Sequence, residues 1–156
     1  RELKRLEQLR LKREAGTEGY LLKRRLFGVY CDCTDPLTQE VRDAQCPTCF
    51  GTGFVGGYFD AYPCFYVELA EGNQRGHLDP MRGSVDDLPV VKGRMVNDPQ
   101  VFSYDIFVQK NSDIRWLVHG LESKVEMRGL PVIVEATLRQ LPFSNVAYDV
   151  PIPELA

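Results

Sequence analysis

Four of the five cysteines in this 156-residue chain stand within nineteen residues, as C-D-C, twelve residues, then C-P-T-C. Two short cysteine pairs separated by a loop are what a structural zinc site requires. Each pair offers two thiolates from one turn, and the loop folds the turns together into a tetrahedron. The ligand set is therefore Cys31, Cys33, Cys46 and Cys49, with zinc as the cofactor. Pro47 pre-sets a turn in the second pair, and Gly51 lets backbone amides turn toward sulfur. The C-x-C of the first pair is a tighter knuckle. Its two cysteines are too close in sequence to bridge each other, although a cross-link between the pairs is open in an oxidising compartment. No hydrophobic signal segment stands in the sequence. The fifth thiol, Cys64, lies in the apolar run P-C-F-Y-V, where it reads either as a small hydrophobe or as a replacement for Cys31 or Cys33. Four thiolates leave no open coordination position, so the site reads as structural, not catalytic.

Other groups capable of chemistry are sparse. Lys23, Arg24 and Arg25 form a basic triplet beside the cysteine module, a candidate contact for nucleic-acid phosphate or an acidic partner, and otherwise a solvated face. Glycines 51, 53, 56 and 57 interleave with Phe50, Phe54 and Tyr58. That pattern suits a base-stacking platform, or aromatics that pack a small module against its neighbour. It is no phosphate-binding loop, because no Gly-Lys-Ser/Thr follows. His77 has Asp79 nearby but no nucleophile, and His119 reads as a packed or solvated side chain. No set of groups assembles an active site, so the chain is expected not to be an enzyme.

The elements that must position these groups follow from pattern and charge. Residues 1–25 hold nine Lys/Arg against four Glu, and the remainder holds ten against eighteen acidic residues, so a basic arm precedes an acidic body. Such a body repels phosphate, which argues against a free-standing nucleic-acid binder. No apolar run approaches the ~20 residues that span a membrane, and no membrane partner is expected. Residues 1–14 lack Gly, Pro and β-branched side chains and predict a helix with an incomplete stripe of Leu3, Leu6, Leu9 and Leu11. The predicted division is a basic helix and linker over 1–25, a zinc-ribbon-like module over 26–62, a β body over 63–140 with a long loop at 71–88, and an extended C-terminal arm over 141–156. Strands are predicted over 62–69, 90–96, 101–110, 114–119, 121–128 and 132–140. In the third of these Phe102, Tyr104, Ile106 and Val108 share a face. The fold class is mainly β: a small antiparallel β-barrel or sandwich with an N-terminal α-helix and the inserted module.

C-P-T-C-F-G-T-G fits the repeat of DnaJ-type cysteine-rich domains, but it occurs once and without a J-domain signature, so the shared feature is turn chemistry. A broader resemblance rests on the basic helix, C-F-G-T-G-F-V-G-G-Y, D-I-R-W-L-V-H-G and V-I-V-E-A-T-L-R-Q-L-P. These look like small structural virion proteins of tailed bacteriophages at the head–tail neck: connector, head-closure or adaptor proteins. The resemblance implies a β-barrel body and a ring of copies of the chain. It also implies portal, adaptor and tail proteins as partners, packaged DNA in the channel, and assembly in the host cytoplasm into the virion. It marks no catalytic residue. The alternative is a zinc-ribbon nucleic-acid-binding protein using the basic triplet with Phe50, Phe54 and Tyr58; a cysteine-rich co-chaperone is a third reading.

Overall fold

A computed structural model describes residues 2–14, 16–69 and 88–152. An N-terminal helix α1 (Glu2–Arg13) precedes six strands: β1 (Thr17–Leu22), β2 (Tyr62–Glu68), β3 (Val90–Val96), β4 (Ile106–Gln109), β5 (Arg115–Met127) and β6 (Leu130–Gln140). All neighbouring pairs are antiparallel, and the order β1-β2-β3-β6-β5-β4 closes on itself. The architecture is thus a barrel and not a sandwich, which leaves no open sheet edge along the paired segments.

Period-two alternation fills the barrel. Val134, Ala136 and Leu138 of β6 point inward with Leu21, Met95, Phe107 and Val118. Gly93 allows the Tyr66 ring to lie against β3; a β-carbon there would sit 2.4 Å from the ring. A second core forms outside the barrel. Tyr20 and Leu22 of β1 and Ile106 and Val108 of β4 face away from the interior, yet all four are buried. Ala147, Val150 and Ile152 cover them, joined by Phe50 and Tyr58 of the cysteine module. Each large apolar side chain buried this way contributes about 1.5–3 kcal/mol, enough to hold a short segment in place.

The fold departs from the sequence-based expectation in three places. Residues 17–22, read as part of a linker, are β1 of the barrel, so the body begins before the cysteine module and the module (residues 23–61) is inserted between β1 and β2. The C-terminal segment is not an extended arm over its described part. Asn145 caps a 3-10 helix (Val146–Asp149) by accepting from the Ala147 N–H, and the apolar residues that follow dock on the barrel. Residues 101–105 turn instead of extending β4, because the buried Asp105 carboxylate accepts the Phe102 N–H at 2.8 Å. Phe102 and Tyr104 are left exposed while Ile106 and Val108 are buried.

The two strands expected over 114–128 are one strand, β5, with register shifts at Val118/Gly120 and again beyond Ser123. It joins β6 through Arg128 and Gly129, both at positive φ (53° and 75°), the backbone of a two-residue hairpin turn. Helix α1 lies over β2 and β3. Only Leu11 of its predicted stripe is buried, and Leu6 and Leu9 face solvent. No helix among the described residues is long and apolar enough to cross a membrane. The expected loop at 71–88, except residue 88, lies outside the described residues, as do His77, Asp79 and residues 153–156.

Candidate metal centre

The module contains no named strand. Three isolated bridges hold it: Arg24 with Tyr58, Tyr30 with Phe54, and Thr34 with Val41. The bridges stack two knuckles on each other. In the first, Thr34 N–H donates to Cys31 O at 2.9 Å and Arg42 N–H to Cys33 O at 2.9 Å. In the second, Phe50 N–H donates to Cys46 O at 2.8 Å and Thr52 N–H to Cys49 O at 3.0 Å. Cys31 N–H to Gly53 O, 2.9 Å, ties one knuckle to the other. Thr52 Oγ1 reinforces the second turn by donating to Cys49 O at 2.7 Å. Gly57 sits at φ 58°, where a β-carbon would lie 2.5 Å from Cys49 O, so only glycine lets the returning chain pass this close.

The result brings together all four predicted ligands. The sulfurs of Cys31, Cys33, Cys46 and Cys49 lie within 4.8 Å of one another. Cys31 Sγ is 3.7 Å from Cys46 Sγ, and Cys33 Sγ is 3.4 Å from Cys49 Sγ. A disulfide requires about 2.05 Å, whereas a tetrahedron with metal–thiolate bonds near 2.3 Å has edges of about 3.8 Å. The four thiols are free and spaced for a shared ion. Cys31, Cys46 and Cys49 are buried and Cys33 half-buried.

The backbone supplies electrostatic support. The Cys49 and Thr48 N–H groups point at Cys46 sulfur and hold its thiol down to about 6. Burial, with Cys49 sulfur close by, pushes the Cys33 thiol up. The protons of such a cluster leave together when a cation enters, because each thiolate then faces the cation and not another sulfur. The donor set can therefore hold a metal ion. Cys64 takes no part: it lies in the barrel interior beside Leu21 and Tyr66, and burial pushes its thiol up. The choice between packing and ligation thus falls to packing.

The basic triplet has internal partners. Lys23 Nζ pairs with Asp105, whose other oxygen accepts the Arg24 N–H at 2.8 Å. Lys23 also lies 4.3 Å over the Phe102 ring. Arg25 Nε donates to Tyr58 O at 3.1 Å, and its guanidinium stacks 4.6 Å from the Phe59 ring. Only the Arg24 guanidinium keeps no hydrogen bond or ion pair among the described residues. Of the proposed stacking aromatics, Phe50 and Tyr58 pack into the second core and Phe54 stacks on Tyr30 at 5.0 Å. Asp105, distant in sequence and without motif, organises the triplet, and pattern reading had no means of finding it. No protein-family model and no curated protein matches this chain.

Proposed function

We propose that the protein is a structural subunit of a tailed-bacteriophage virion. Copies of it would form a ring at the head–tail neck that joins the portal to the tail and helps to retain packaged DNA. The observation that carries this reading is the apolar surface of the cysteine module. Leu26, Phe27 and Val29 are 63%, 70% and 74% exposed, and Leu37 is 93% exposed. Side chains of this kind, clustered on a metal-held appendage, suit a surface that is covered in an assembly. The exposed Leu6 and Leu9 of the basic helix α1 offer a second such surface. Two different surfaces on one chain are what a head-to-tail ring needs.

The ion in the cysteine site is zinc on this reading. Four sulfur donors at tetrahedral spacing suit it, and the ion would contribute shape where the module has too little core of its own. The closed set of thiolates assigns it no catalytic step.

The test is tail joining in vitro. DNA-filled heads made without this protein are mixed with tails and the purified chain, and infectious particles are counted. Recovery that depends on the protein supports the neck assignment. If heads and tails are competent and nothing is recovered, the reading fails. Steeply salt-dependent DNA binding would then favour the zinc-ribbon alternative.

A further inference from the structure

A cleft of ≈ 200 Å³ opens where the cysteine module, the barrel and the C-terminal segment meet. Arg24, Phe50, Tyr58, Tyr104, Leu117 and Asn145 line it. Three polar groups around it have hydrogen-bonding capacity unused among the described residues. The Arg24 guanidinium makes no hydrogen bond or ion pair, and lies 5.7 Å from the Tyr104 ring. The Tyr58 hydroxyl makes no hydrogen bond. Asn145 uses Oδ1 to cap the Ala147 N–H at 2.9 Å, which leaves its Nδ2 hydrogens free to donate.

Asp105 is neutralised by Lys23, and Arg115 lies beside Asp113 at 3.5 Å while donating to Ala147 O. Arg24 is the only charged residue among the described residues lining the cleft, a planar fork suited to one carboxylate. Tyr104 is held at φ 70° with its N–H bonded to Val118 O at 2.8 Å. Such a conformation is costly for a residue with a β-carbon, and costly backbones cluster at binding sites.

We propose that this cleft receives an aspartate or glutamate side chain from an extended partner peptide. Its carboxylate meets Arg24 and Asn145, and an adjoining apolar side chain lies against Phe50 and Leu117. The volume is below the ~300–1,000 Å³ of small-molecule pockets and suits one or two residues. A single lining cation matches a monoanion better than a phosphate dianion. The inference depends on neither the neck assignment nor the identity of the metal.

The full chain, labelled with nitrogen-15, is titrated with acetyl-leucyl-glutamyl-leucinamide, with its glutamine counterpart, and with inorganic phosphate. Saturable shifts are expected at the Phe50 amide, the Arg24 guanidinium Nε–H and the Asn145 side-chain amide. The glutamine peptide should bind at least about tenfold more weakly. Arg24→Gln should weaken binding by a similar factor while folding normally, since the backbone N–H, not the guanidinium, holds Asp105. Asn145→Asp keeps the cap and places a repelling charge in the cleft, and should act likewise. Equal binding of the two peptides, shifts that map elsewhere, or tighter binding of phosphate than of the glutamate peptide would each overturn the proposal.

Discussion

Asp105 shows how much one side chain can organise. It is 1% exposed and gathers three donors: Lys23 Nζ and the N–H groups of Arg24 and Phe102. It therefore fixes where β1 leaves the barrel for the module and where β4 begins. Asp105→Ala should destabilise the protein by about 3–5 kcal/mol, because Lys23, whose side chain is 12% exposed, would keep its charge without a partner. Denaturant unfolding would measure this, and the double variant Lys23→Met/Asp105→Leu should recover much of the loss. Equal destabilisation by the double variant would show that the pair's hydrogen bonds, not the stranded charge, dominate. Glu135 makes a second, pH-dependent case. Burial opposes its ionisation, but Lys124 and Arg94, each at 3.2 Å, outweigh that and hold its carboxyl below the ordinary glutamate value of 4.5. A carboxyl so held stabilises the fold above the ordinary glutamate range, and that contribution drains away as pH falls through the lowered folded value. Glu135→Gln should flatten the acid limb of the stability curve relative to the wild type. Parallel acid limbs for the two proteins would rule the effect out.

Among the elements, the cysteine module is the one that an ion would hold on the proposed reading. It holds three isolated bridges, two knuckles and almost no apolar interior beyond the sulfurs. A strong chelator at neutral pH should therefore collapse the amide spectrum of residues 23–61 while the inward-facing residues of β6 keep their shifts. The barrel should also lose about 2–3 kcal/mol of stability, because Phe50 and Tyr58 leave the second core when the module unfolds. Cys46→Ser should reproduce both effects. A module spectrum unchanged by chelator and by this substitution would show that the fold there does not need metal. The C-terminal segment behaves differently. Its 3-10 helix is capped by its own Asn145 and pinned by Val146 N–H to Gln45 Oε1 at 3.0 Å, so one hydrogen bond couples it to the module.

At the scale of the whole molecule two unlike surfaces are exposed: the apolar side chains of the module and the basic helix α1. If copies assemble in a ring through the module, Leu26→Asp with Val29→Asp should abolish assembly. The unfolding midpoint of the single chain should change little, since side chains this exposed contribute within about 0.5 kcal/mol. Sedimentation of the variant beside the wild type would read the first effect and thermal unfolding the second. Assembly indistinguishable from the wild type would remove the module from the interface.

Local pattern in the chain was enough to name Cys31, Cys33, Cys46 and Cys49, helix α1, β2, β3 and the end of β6. Ligand spacing, helix propensity and period-two alternation act over a few residues and are written directly in the order of the chain. The assignment of residues 17–22 to the barrel was not legible, because that strand is defined by β2 and β4, partners about 40 and 90 residues away. Nor was the docking of the C-terminal segment, whose prolines suggested an arm until a second apolar face existed for it to cover. The basic triplet looked like one patch in sequence. The tertiary structure divided it, giving Lys23 to Asp105, Arg25 to Phe59 and Arg24 to an open cleft, because the direction of each side chain depends on elements that only folding brings alongside.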